Sequence, residues 1–388
     1  MTAYDSPFRS QTNWSQMGFK TKRDAEGNVV KQEARLVAKG YVQRQGVDFE
    51  DAFALVARIE TIQLLLALAA MKAQPDGFVV KGKEHMVYRL HKALYGLRQA
   101  PRAWNTRLDR ELKELGFLNY PHEQAVYQFN NSKFILLVGV YVDDLIVTSS
   151  SEEQSATFKE KMKQLFEMSD LGHLTYYLGI EVRQTKTGIE LKQAGYAKKI
   201  LQSAGMLDCN STKTPIEPKF SLSKDADGVP VNATDYRRLI RCLRYLIYTR
   251  PDLAYSVGVV SRYMNTPKES HLKAVKQILR YVKGTLQLGL IYQRGGDGKL
   301  SRYSDSSHNM DRDDGKGTTR TMFYFSNNPI SWPSQKQHTV ALSFCEAEFM
   351  AATAAACQTV WLKNLLKDLT GWESSSVRLY VDNNQQSP

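Results

Sequence analysis

Phe134-Ile135-Leu136-Leu137-Val138-Gly139-Val140-Tyr141-Val142-Asp143-Asp144-Leu145-Ile146-Val147-Thr148 decides how this chain is read. Two apolar runs rich in β-branched residues enclose an adjacent pair of carboxylates. Such runs have strand composition, so the segment predicts a hairpin with Asp143 and Asp144 at its turn. Two neighbouring charges in an otherwise buried sheet are costly unless something neutralises them. Clustered oxygen ligands suit a hard divalent cation, Mg²⁺ above all. Metal-bound carboxylates in a basic chain point to nucleotidyl transfer. A solvated Asp-Asp turn is the other reading these residues allow.

Composition narrows the field. A length of 388 residues suggests two or three domains, and 42% hydrophobic residues are enough for real cores, which excludes a wholly disordered chain. The formal net charge of +12 implies a polyanionic partner. Cys209, Cys242, Cys345 and Cys357 have no metal-ligand spacing and, two of them lying in apolar helical context, read as reduced core residues. The N-terminus lacks a signal-like apolar run, and the stretch Leu64 to Met71 is too short to span a bilayer. An intracellular location, cytoplasmic or nuclear and away from membranes, is expected.

Three further motifs surround the acid pair: Ala34-Arg35-Leu36-Val37-Ala38-Lys39-Gly40-Tyr41, Leu94-Tyr95-Gly96-Leu97-Arg98-Gln99-Ala100-Pro101-Arg102-Ala103-Trp104, and Tyr176-Tyr177-Leu178-Gly179-Ile180-Glu181-Val182. In this order they resemble the reverse transcriptase of Ty1/copia-type retrotransposons, from about Phe19 to the C-terminus. The resemblance implies an α+β fold: a polymerase fingers–palm portion, a helical connection and a partial ribonuclease H-like domain. The expected boundaries are 1–17 unassigned, 18–210 fingers and palm, 211–232 linker, 233–295 basic thumb or connection, and 296–388 ribonuclease H-like. It also implies an RNA template, a DNA primer, an RNA–DNA hybrid and deoxynucleoside triphosphates as partners, with Mg²⁺ or Mn²⁺ as cofactor.

Local patterns place the elements. The Gly27-Asn28 turn joins two polar, basic strands. There the resemblance makes Arg35 a candidate for gripping triphosphate, while Lys39 reads as part of a solvated hairpin. Residues Ile59 to Ala73 predict a helix with Leu64, Leu65, Leu68 and Ala69 on its apolar face. Val87 to Leu90 predicts a strand. A helix from Pro101 carries Trp104, Leu108, Leu112 and Leu115. By resemblance Tyr95 and Gly96 floor a nucleotide pocket, whereas Pro101 and Trp104 set the helix start and its packing. Phe158 to Phe166 predicts a basic amphipathic helix. The Leu178-Gly179 hairpin would hold the primer terminus. Residues Ser211 to Asn232, with Pro215, Pro218 and Pro230, read as an extended linker.

Two helices follow, Tyr236–Tyr248 and His271–Lys283. From Tyr236 to Lys283 eleven Lys or Arg residues face two acids, Asp252 and Glu269. Arg237, Arg241 and Arg244 share one face, as do Lys273, Lys276, Arg280 and Lys283; Leu239, Leu243, Leu272, Val275, Leu279 and Val282 form the opposite faces. A charged outer face is ordinary for a surface helix, but this single-sign bias favours phosphate-backbone contacts.

The tail predicts short strands at Tyr303–Asp305, Thr321–Phe325 and Ile330–Trp332, a helix from Ser343 to Leu369, and a strand at Val377–Asp382. By resemblance Asp305, Glu348 and Asp382 converge on metal ions as a nuclease cluster, with Glu346 solvated or capping. A strand-ending turn is the local alternative for Asp382.

Two departures from the family pattern bear on activity. At Ala73-Gln74-Pro75-Asp76-Gly77-Phe78 the chain lacks the intervening segment that carries an Asp-Val-Lys-like strand and the first polymerase aspartate. Asp48, Asp51 and Asp76 match other positions, so Asp143 and Asp144 form an incomplete cluster. In the tail, His308-Asn309-Met310 and Gly315-Lys316-Gly317 replace family residues, and Pro388 follows soon after the third acid. An internally deleted, C-terminally truncated copy is the expectation, with polymerase and ribonuclease H activity impaired. A catalytically silent nucleic-acid-binding remnant is the alternative.

Overall fold

The computed structural model describes residues 97–120, 122–131, 133–217, 222–225, 227–371 and 377–381, together with the backbone of four earlier strands. Tyr95, Gly96, Lys39, Asp48, Asp51, Asp76, Asp382, the Gly27-Asn28 turn, the 59–73 helix and the 74–75 junction lie outside the described residues. The chain divides into two compact units, residues 1–170 and 171–388.

In the first unit, β1 (Thr2–Asp5) pairs with β4 (Met86–Arg89), and β2 (Ser15–Arg23) with β3 (Val29–Ala38). Arg35 sits opposite Gly18 in the β2–β3 register, and its side chain is not described. After α1 (Ala100–Glu114) comes an antiparallel meander of β5 (Leu118–Tyr120), β6 (Glu123–Asn130), β7 (Ile135–Tyr141) and β8 (Asp144–Ser149), then α2 (Glu152–Leu165). Alternation puts Leu136 and Val138 of β7 against Leu108 and Leu112 of α1 and Phe158 and Met162 of α2. Burial of that one face holds the meander flat against its two helices. The second helix begins six residues before the expected Phe158, because Ser151 caps it by accepting from the Gln154 amide. With Glu152 and Glu153 in its first turn, it balances three acids with three lysines rather than being basic. Acids there also suit the helix dipole.

The second unit starts with β9 (Tyr176–Tyr177), β10 (Ile180–Gln184) and β11 (Gly188–Lys192), which form an antiparallel sheet completed by β12 (Gly289–Gln293). Between them lie α3 (Ala194–Ser203), α4 (Ala233–Leu246), α5 (Ala254–Val260) and α6 (Glu269–Gly284). Their apolar stripes merge in one core of Ile200, Leu201, Ile240, Leu243, Val257, Val275, Ile278 and Leu279. The apolar faces read from Leu239, Leu243, Val275, Leu279 and Val282 are all buried. Asn232 caps α4 through the amides of Thr234 and Asp235, which moves its start three residues upstream of Tyr236.

The described residues of the proline-containing stretch 211–232 have little regular structure but do not run free. They lie along α6: Arg280 Nε donates to the Asn210 carbonyl at 2.9 Å, Gln277 Nε2 to that of Thr214 at 3.2 Å, and Lys268 Nζ to that of Gly228 at 2.8 Å. Leu222 inserts into the helical core.

The remainder is a mixed sheet in the order β15 (Asn328–Ser331), β14 (Thr318–Phe325), β13 (Leu300–Ser307), β17 (Arg378–Val381), with β16 (Ser334–Lys336) also on β14. β17 runs parallel to β13, with Ser304 opposite Val381. The long α7 (Phe344–Thr370) packs across this sheet around Leu300, Phe323, Ala355 and Leu362. The whole is an α+β fold with antiparallel and mixed sheets.

Candidate active site

Tyr141 pairs with Asp144, so β7 and β8 are joined by a two-residue loop, Val142-Asp143. Val142 has φ +56°, and Asp143 is not among the positive-φ residues. A positive φ at the first loop position alone is the type II′ pattern, which normally takes glycine. A β-branched residue there is strained, and strain of this kind persists only where surroundings enforce it. Here Trp104 of α1 enforces it. Its indole Nε1 donates to the Val142 carbonyl at 2.7 Å, while the ring packs edge-on against Phe166 with centroids 5.0 Å apart. Arg107, one turn along α1, donates to the Leu165 carbonyl at 2.9 Å and lies over the Phe166 ring. The hairpin tip is thereby tied to both helices.

Trp104 was expected only to pack. Its second role had one signal in the sequence, since a partly buried indole N–H needs an acceptor. The Asp143 and Asp144 carboxylates at the tip are exposed, and neither has a hydrogen bond or ion pair among the described residues. Beneath the tip, Tyr127 of β6 donates to Asp109 Oδ1 at 2.9 Å. Burial, and then that hydrogen bond, push its phenol well above the ordinary value.

The Leu178-Gly179 tip is a second tight turn. Tyr177 pairs with Ile180, and both loop residues have positive φ, +48° and +78°, the type I′ pattern. Gly179 is needed for space as well as φ: a Cβ there would lie 3.0 Å from the Tyr245 hydroxyl. Tyr245 of α4 meets Tyr196 and Tyr248 edge-on, at 5.1 and 5.6 Å.

The basic helices divide their charges. Arg237 Nε donates to the Met264 carbonyl at 2.9 Å, Arg244 Nε to Ser261 Oγ at 3.2 Å, and Arg280 Nε to Asn210 as above. Arg241, Lys273 and Lys276 are exposed and Lys283 is half-buried, each without an internal partner among the described residues.

At the tail's acids, the structure brings Glu348 onto Ser306, the residue after Asp305 in β13. Glu348 Oε1 accepts from the amide and hydroxyl of Ser306, at 3.0 and 2.9 Å, and its Oε2 is buried without a partner. Asp305 instead faces its cross-strand neighbour Arg320, Oδ2 to Nη2 2.5 Å. Ser343 caps the helix by accepting from the Glu346 amide at 3.1 Å, while the Glu346 carboxylate reaches back to accept from the Leu342 amide at 2.7 Å, ahead of the helix. β17 stops at Val381, one residue before Asp382. Among the described residues no group of three His, Cys, Asp or Glu side chains converges as a metal site would.

The described residues thus present a meander with an acidic hairpin in one unit and a helical bundle with two sheets in the other. The sequence model described as "Reverse transcriptase (RNA-dependent DNA polymerase)" matches residues 5–75 and 71–218. The chain belongs to that family, as a Pol protein of the Ty1/copia retrotransposon type. It is 33% identical to the retrovirus-related Pol polyprotein from transposon RE1 of Arabidopsis thaliana, over 94% of this chain and 26% of that protein. Identity to the corresponding polyprotein from transposon TNT 1-94 of Nicotiana tabacum is 35%, over 94% of this chain and 30% of the relative. The putative transposon Ty5-1 protein of Saccharomyces cerevisiae is 30% identical over 72% of this chain and 92% of its own length. The chain thus spans between a quarter and a third of the plant polyproteins it matches. Among the described residues no helix is long and apolar enough to cross a membrane.

Proposed function

We propose that this chain is a template–primer-binding reverse transcriptase portion whose RNA-directed DNA synthesis is centred on Asp143 and Asp144 and is impaired. The observation that carries the reading is the strained hairpin, held by Trp104, that presents two unpartnered carboxylates. The β5–β8 meander acts as the palm within residues 18–210. Residues 211–232 connect it to a basic thumb or connection, 233–295, and residues 296–388 form a ribonuclease H-like portion.

Both carboxylates are hard oxygen donors of the kind Mg²⁺ or Mn²⁺ takes, and the orphaned Glu348 Oε2 is another. Asp143 and Asp144 would hold the cation in the polymerase site; Asp305, Glu348 and Asp382 would do so in the nuclease site, where Asp305 would have to leave Arg320. Bound there, the ion supplies Lewis-acid stabilisation of phosphoryl oxygens. Arg35 meets the triphosphate, Tyr95 and Gly96 floor the nucleotide pocket, and Leu178 and Gly179 back the primer end. Arg237, Arg241, Arg244, Lys273, Lys276, Arg280 and Lys283 line the nucleic-acid face, with Arg241, Lys273 and Lys276 available for phosphate and Arg244 available through the guanidinium nitrogens other than its Nε.

Impairment follows from the absent Asp-Val-Lys-like strand near residues 74–75. What supports it is that the family match comes in two pieces that meet at residues 71–75.

Primer extension on an RNA template with Mg²⁺ or Mn²⁺ tests the reading. Short products or none are expected, with any product lost in Asp144→Asn. Sustained synthesis lost in that variant would overturn the impairment. The silent-binder reading is favoured by the Asp305–Arg320 pair, which occupies one nuclease acid. Cleavage of an RNA–DNA hybrid that disappears in Glu348→Gln would exclude it.

A further inference from the structure

The surface around the end of α4 carries an exposed aromatic ring beside two exposed arginines. Tyr248 lies in the 3₁₀ turn Ile247–Thr249 that continues the helix, and it is 63% exposed. Helical spacing puts Arg244 one turn before it and Arg241 two turns before it, on the same face. Arg241 has no internal partner among the described residues, and Arg244 uses only its Nε internally. The acids nearest in sequence are engaged elsewhere: Asp235 with Arg238 at 3.4 Å, and Asp252 with Arg250 at 2.7 Å. Contacts then lead from Tyr248 through Tyr245 to Gly179 at the hairpin tip. A large open π-face beside two guanidinium groups, held rigid by a T-shaped neighbour, is the chemistry that takes a base and its phosphates together.

We propose that Tyr248 is a stacking platform for an unpaired nucleobase, with Arg241 and Arg244 meeting the adjoining phosphates and the Leu178-Gly179 hairpin closing one side. This rests on the nucleic-acid-binding part of the reading above and assigns the terminal, single-stranded stretch of the bound strand to one side chain. Stacking favours a base freed from its pair, because a base inside the duplex has both faces covered and one in a terminal pair is held by its partner and cannot turn onto the ring. The site therefore discriminates a frayed or overhanging end from a blunt duplex. It needs no metal.

The test uses the full chain and a short single-stranded DNA carrying 2-aminopurine, with a blunt duplex of equal length as comparison. Binding to the unaltered chain should quench the fluorophore, and the single strand should bind more tightly. Tyr248→Leu should abolish the quench and weaken single-strand binding about tenfold, with duplex binding and the salt dependence unchanged. Tyr248→Phe should restore both. Arg241→Gln should keep the quench and lower the slope of log affinity against log salt by about one. Single-strand affinity within twofold of normal and an intact quench in Tyr248→Leu would overturn this proposal while leaving salt-dependent binding, and so the parent reading, standing. Absence of binding by the unaltered chain would overturn both.

Discussion

The two acidic sites solve opposite problems. At the β7–β8 tip, the backbone is strained and tied down while the carboxylates are left without partners. At β13 and α7 the backbone is ordinary and the carboxylates are occupied, Asp305 by Arg320 and one oxygen of Glu348 by Ser306. The first arrangement invests stability in geometry and leaves charge available for a cation. The second uses charge to hold helix to sheet. A carboxylate kept for function is recognised by what it does not touch, and by the unrelated group that holds its backbone still.

Substitutions at these anchors can break that comparison. The largest effect is expected for Trp104→Ala, which removes the ring packing on Phe166 together with the Val142 hydrogen bond. About 3 kcal/mol should be lost from the first unit, read by denaturant unfolding with hydrogen exchange on β7 and β8. Trp104→Phe should cost only about 1 kcal/mol, the hydrogen bond alone. If the two variants lose equally, the indole N–H and not the packing is the anchor.

Next is Glu348→Ala, which strips the Ser306 amide of its acceptor. A cost of about 2 kcal/mol is expected, with protection lost at the β13–α7 contact. In contrast, Glu348→Gln keeps Oε1 as acceptor and should change stability little. A large loss in the glutamine variant would mean that the Oε2 charge, rather than the hydrogen bonds, holds the helix.

Smaller and opposite in sign is Val142→Gly. Relief of a positive φ at a β-branched residue should stabilise the first unit by about 1 kcal/mol after the entropy that glycine adds to the unfolded chain. The same change should loosen the carboxylates and weaken Mn²⁺ binding, measured by electron paramagnetic resonance against an Asp143→Asn/Asp144→Asn control. A destabilised Val142→Gly would show that the turn is not strained.

The smallest effect is electrostatic. Lys336 of β16 reaches Asp311 at 2.6 Å and Asp314 at 2.8 Å, and Arg262 reaches Asp311 at 3.2 Å. Burial pushes the Asp314 carboxyl up, but the Lys336 hydrogen bond, the Lys316 amide and the two ammonium charges outweigh it and leave it below the usual value. For Lys336, burial works downward, and the hydrogen bonds it donates to both acids, with their negative charges, outweigh it, so its pKa is raised. A depressed carboxylate contributes stability above its unfolded pKa and loses it as pH falls through the folded one. A raised lysine contributes below its unfolded pKa and loses it above. The strap should therefore hold across neutral pH and weaken at both strongly acid and strongly alkaline pH. Lys336→Met should flatten both limbs in an unfolding titration.

Much of this was legible in the chain. The β7–β8 hairpin, α1, the two basic helices and the order of strands around α7 follow from period-two and period-three-and-a-half apolar patterns, which report which face of each element must be buried. Helix starts were displaced where a cap, Ser151 or Asn232, lay outside the apolar pattern. The composition of residues 211–232 predicts an extended linker, and the residues described there carry little regular structure. It could not predict attachment to α6, because backbone carbonyls that accept from Arg280 and Gln277 leave no mark in the sequence. The same holds for the basic faces: spacing grouped Arg237, Arg241 and Arg244, while only folding showed which guanidinium groups serve internal acceptors.

The sequence by itself determined the family, the acidic hairpin and the sign of the charge, because these depend on residue type and local spacing. Only the tertiary structure decided that Trp104 pins Val142, that Asp305 faces Arg320 and that Gly179 rests on Tyr245. Each joins residues distant in the chain whose geometry is set by the packing of whole elements, and a one-dimensional pattern carries no information about the direction in which a side chain finds its partner.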